Sequence, residues 1–106
     1  MRNKVDTKSS RSILRTQIEI LDRQVVELPE SADFCYLAPA RHGKFSIDLW
    51  YAVTLPEDRA RAEVKHSHEI RIFGTGHEIP PGWVYLGTAV MFDDFVWHVF
   101  HKGGLE

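Results

Sequence analysis

From Ser12 to Leu21 apolar and polar residues alternate. Leu14, Thr16, Ile18 and Ile20 fall on one side, and Arg15, Gln17 and Glu19 on the other. A period of two is the signature of a half-buried strand. After Asp22-Arg23, Gln24 to Leu28 repeats the pattern briefly, with Val26 and Leu28 inward, until Pro29-Glu30-Ser31 stops it. Asp33 to Pro39 is apolar on both sides, with Phe34, Tyr36 and Ala38 opposing Cys35 and Leu37. That mixture predicts a strand buried on both faces.

Phe45 to Leu55 is the longest alternating run. It sets Phe45, Ile47, Leu49, Tyr51, Val53 and Leu55 against Ser46, Asp48, Trp50, Ala52 and Thr54. Val64 to Phe73 alternates again, and Gly74 and Gly76 follow as a hinge where positive φ is allowed. Trp83 to Met91 and Phe95 to His101 complete the set, with turns at Pro80-Pro81-Gly82 and Asp93-Asp94. The segment after the hinge reads as a return strand for Val64–Phe73. Only 56–63, opening on Pro56 with Glu57 and Asp58, has a helical signal, worth at most one turn.

These elements predict an all-β domain over residues 12–102: about seven short, mostly antiparallel strands in a small sandwich or partly open barrel. Residues 1–11 read as a mobile N-terminal arm, and 103–106 as a C-terminal tail resembling the remnant of a cloning linker.

Composition narrows the function classes. A net charge of −2 argues against a broad phosphate-binding surface, though not against a local basic patch, so nucleic acid is not the expected partner. A single cysteine, Cys35, allows no intrachain disulfide. Its apolar strand suggests an inert, buried thiol. No apolar run is long enough for a membrane span, and none follows the N-terminus as a signal peptide would require.

Candidate chemistry is sparse. Gly74-Thr75-Gly76-His77 could turn backbone N–H groups toward an anion, with Arg71 and His98 nearby. It is too short for either phosphate-binding glycine fingerprint, and a bulge or tight turn is the simpler expectation. Of six histidines, His66 and His68 share one strand face. A metal needs three or four ligands, and of His98 and His101 only one could join that face. No metal or other cofactor is expected, and no catalytic set assembles from the residues. Trp50, if it faces outward beside Asp48, is an interface candidate together with the basic turn Arg41-His42.

Several blocks taken together resemble a family of small bacteriophage and prophage proteins. They are Asp22 to Pro29, Leu49-Trp50-Tyr51-Ala52-Val53, Arg71-Ile72-Phe73-Gly74-Thr75-Gly76-His77, Tyr85-Leu86-Gly87-Thr88 and Trp97-His98-Val99-Phe100. The resemblance covers most of residues 13–101 and implies a phage protein acting in the cytoplasm of a bacterial host. It implies no reaction. The expected function is therefore a non-catalytic accessory protein that binds a host protein or host defence component. The alternative is an anion- or nucleotide-binding protein, or weak enzyme, built on Gly74–His77. Open sheet edges make a homodimer a further expectation.

Overall fold

The computed structural model describes residues 10–42, 45–55 and 64–105, the last three of these by backbone alone. The arm and the helical turn expected over 56–63 lie outside the described residues. Among the described residues seven strands run antiparallel: β1 (Arg11–Glu19), β2 (Arg23–Pro29), β3 (Asp33–Pro39), β4 (Ser46–Thr54), β5 (Lys65–Gly74), β6 (Val84–Val90) and β7 (Val96–Leu105). They form two sheets, a three-stranded one in the order β1-β4-β3 and a four-stranded one in the order β2-β5-β7-β6. β3 packs over β6 across the sandwich. The expected all-β class holds, as two open sheets and not a closed barrel.

The inward residues are those the alternation marks. Ile18, Leu37, Ile47, Leu49, Ile70, Ile72, Ala89, Met91 and Val99 form one buried cluster, and Leu28, Tyr51 and Val53 a second. Burial of this kind stabilises by about 25 cal/mol for each Å² of apolar surface removed from water.

The structure corrects several expectations. The segment after the glycine hinge does not return against β5, because β7 lies between β5 and β6 and pairs with both. β3 is an edge strand, not one buried on both faces. The strand buried on both faces is the central β4, where Ser46, Asp48 and Ala52 are covered along with the apolar side. A register shift between Phe34 and Tyr36 explains why the β3 pattern misleads. The extra residue turns Phe34 inward and Tyr36 outward although they are two apart, and it leaves Cys35 exposed. β7 runs on to Leu105, opposite Ser67, so residues 103–105 belong to the sheet.

Two glycines carry the geometry. Gly76 has φ +89°, which the tight turn after β5 requires. Gly87 has φ +158° beside the register shift in β6, and a Cβ there would stand 3.1 Å from the Leu37 side chain of the opposing sheet. The Tyr85-Leu86-Gly87-Thr88 block thus lets the two sheets approach.

Candidate functional site

The register gathers the resemblance blocks of β5, β6 and β7 on the four-stranded sheet, while Leu49–Val53 lies on β4 of the other sheet. Arg71 pairs with Phe100, Phe73 with His98, Tyr85 with Phe100, and Thr88 with His98. Three segments distant in sequence thereby place Arg71, Phe73, Tyr85, Thr88, His98 and Phe100 side by side.

His98 is the polar centre. Its Nε2 lies 2.9 Å from Thr75 Oγ1 and its Nδ1 2.9 Å from Thr88 Oγ1, and Thr88 is bonded in turn by the Tyr85 hydroxyl. A neutral imidazole has one donor and one acceptor nitrogen, so both capacities are used. This chain ties the β5 turn to β7 and β6 and leaves no ring nitrogen free for a substrate proton.

The glycine loop is similarly self-contained. The Gly74 N–H donates to His77 Nδ1 at 3.1 Å, and the His77 N–H donates to the Gly74 carbonyl at 3.2 Å. Two of the N–H groups that an anion nest would offer are therefore engaged within the turn.

Beside this network lies an aromatic and cationic shelf. The Arg71 guanidinium sits 4.9 Å from the Phe73 ring centre and 5.4 Å from that of Trp83, and the Lys102 ammonium lies 4.9 Å from the same Trp83 ring. Phe100 packs edge-on against Phe73 at 5.5 Å, and Tyr85 lies tilted against Phe100 at 5.3 Å. Arg71 stands out in the sequence; Trp83 and Lys102 do not. Continuing the period of two past His98 and Phe100 would have found Lys102.

The outer face of the three-stranded sheet is built differently. Asp48 is 0% exposed, yet it points outward. Its Oδ2 accepts from Arg15 at 3.1 Å and lies 3.7 Å from the Arg41 guanidinium, and the Arg41 N–H also donates to it at 3.3 Å. Its Oδ1 is buried without a hydrogen-bond partner among the described residues. Beside it Trp50, half-buried, packs against Tyr36 with ring centres 5.9 Å apart. The register shift in β3 brings Tyr36 opposite Trp50. Of the expected interface residues, Trp50 and Arg41 share this face through Asp48, and His42 is exposed in the adjoining turn.

His68 and His101 point into the sandwich with ring centres 6.0 Å apart, and Phe34 meets them edge-on at 5.6 and 4.8 Å. Both Nδ1 atoms are buried without a partner among the described residues. Burial, reinforced by His66, lowers the His68 pKa from 6.5. Burial and then His68 lower that of His101 from the same value. No cluster of three metal-ligating side chains occurs among the described residues, so His66 and His68 gain no third ligand there. β5, which carries them, is an interior strand of the four-stranded sheet.

Cys35 is exposed, not buried as expected, and donates weakly to the Asp33 carbonyl at 3.4 Å. It borders a cavity of about 420 Å³ lined also by Arg11, Ser12, Phe34 and Ala52. Among the described residues no helix is long and apolar enough to cross a membrane.

No curated protein and no solved structure matches the chain. A family described as a domain of unknown function, DUF7352, matches residues 9–105, a span that takes in every strand of both sheets. With the match extending over nearly the whole chain, the protein belongs to the DUF7352 family.

Proposed function

We propose that this chain is a non-catalytic phage accessory protein that docks on a protein of its bacterial host, in the cytoplasm, through the outer face of the three-stranded sheet. The observation that carries the reading is the Trp50–Tyr36 pair on a face where Arg11, Arg15 and Arg41 each have a carboxylate beside them. Tyr36 is 65% exposed and Ile13, on the neighbouring β1, 58% exposed. Arg15 and Arg41 are engaged by Asp48, and Arg11 lies 3.9 Å from Asp33. Arginines that already have a carboxylate beside them lose less on desolvation than isolated ones would. Exposed Trp, Tyr and Arg are the residues that most often anchor protein interfaces. The phage assignment rests on the resemblance of the sequence blocks.

The experiment compares host-lysate capture by the wild type, Trp50→Ala and Tyr36→Ala, followed by calorimetry with the purified captured protein. Truncating an anchor of this type costs about 2 kcal/mol or more, roughly a thirtyfold loss of affinity. Equal binding by wild type and both variants, with circular dichroism unchanged, would rule out this face. Sedimentation velocity on the same samples distinguishes a host partner from self-association.

A further inference from the structure

On the outer face of the four-stranded sheet, three cations lie close together and differ in their partners. Arg23 on β2 holds Glu69. Arg71, opposite Arg23 in the register, forms no ion pair with a described residue, and its Nε is buried without a hydrogen-bond partner. Lys102 stands opposite Glu69, but that carboxylate turns to Arg23 and leaves the ammonium over Trp83. A guanidinium and an ammonium that rest on rings and have no carboxylate beside them keep their charge for an incoming anion. Arg71 and Lys102 rest on the same indole, so one stretch of anionic backbone can meet both. Next to them Tyr85 is 55% exposed and leans on Phe100, which in turn meets Phe73.

We infer that this face binds single-stranded nucleic acid, with Arg71 and Lys102 taking backbone phosphates and Tyr85 stacking a base. Unpaired cations beside accessible rings are what a single-strand platform needs, because every base has a π face and every residue of the strand a phosphate. The net charge of −2 and the two free cations are too little for the dense phosphates of a duplex. A lone nucleotide needs walls that bury most of it. The 420 Å³ cavity beside Cys35 lies on the other sheet, and a strand gathers its contacts along an open face instead. An acidic peptide would use the cations and leave the rings idle. The inference concerns a different face from the protein-binding reading and does not depend on it.

The test is fluorescence anisotropy of the full chain with a labelled oligo-dT of about 12 nucleotides, across about 50 to 200 mM salt. Two phosphate contacts predict a slope of log K against log salt near −1.4, about −0.7 for each. Lys102→Gln brings the slope to about −0.7, while Lys102→Arg keeps it. Tyr85→Ala weakens binding roughly 5- to 150-fold, one lost base stack, without changing the slope. Both side chains lie at the surface, and circular dichroism verifies that each variant keeps the sheet. The inference is overturned by no anisotropy change at the lowest salt. Displacement by oligoglutamate as effective as by unlabelled oligo-dT overturns it as well, as does a Lys102→Gln variant with the wild-type slope.

Discussion

The two outer faces of the sandwich use similar residues to opposite ends. On the three-stranded sheet the cations Arg15 and Arg41 converge on a fully buried carboxylate, and the aromatic pair Trp50–Tyr36 lies beside them, with Trp50 opposite Arg15. On the four-stranded sheet the available carboxylate, Glu69, is taken by Arg23, and Arg71 and Lys102 rest on rings. The first arrangement is electrostatically closed and offers contact area. The second is open and offers charge. The same residue types therefore imply different partners, and what decides between them is whether each cation has an acid beside it.

The largest expected effect that would break this contrast is on the closed face. Asp48→Ala removes the charge-assisted hydrogen bonds from the Arg15 guanidinium and the Arg41 backbone N–H, and should cost about 1.5–3 kcal/mol in urea denaturation. No loss would mean that the carboxylate does not organise the face.

Next comes acid, which acts between the faces. His68 and His101 have folded-state pKa values below the ordinary 6.5. The unfolded chain therefore binds protons more readily, and stability rises with pH wherever that difference persists. The contribution is fully present above about pH 6.5 and is lost as pH falls from there through the lower folded-state values. Melting temperatures at about pH 7.5 and 5 should show the fall, and His101→Leu should flatten it. A variant that still melts with the wild-type pH profile would move the effect elsewhere.

The smallest effect belongs to the open face. Lys102→Gln loses only a cation–π contact with Trp83, so its stability should stay within about 1 kcal/mol of wild type. A loss as large as that of Asp48→Ala would mean that the shelf holds the fold together and is not free to bind.

The candidate residues show where sequence reasoning ran short. Arg71 and His98 were identified from the sequence, and both lie on the motif-bearing face. Their chemistry was not visible, because His98 spends both ring nitrogens on Thr75 and Thr88, a fact that depends on β7 passing between β5 and β6. Trp50 was identified as an anchor, while its neighbour Tyr36 was expected in a strand buried on both faces and is exposed.

The sequence by itself determined the seven strands, the side of most of them that faces inward, and the turns that separate them. Those features follow from local alternation and from proline and glycine, which act within a few residues. Only the tertiary structure decided the strand order, the register shifts at Phe34/Tyr36 and Tyr85/Gly87, and which arginine meets which carboxylate. A one-residue shift reverses every side chain beyond it, and ion pairing depends on approaches of a few ångströms between residues as distant as Arg15 and Asp48. No local pattern records either.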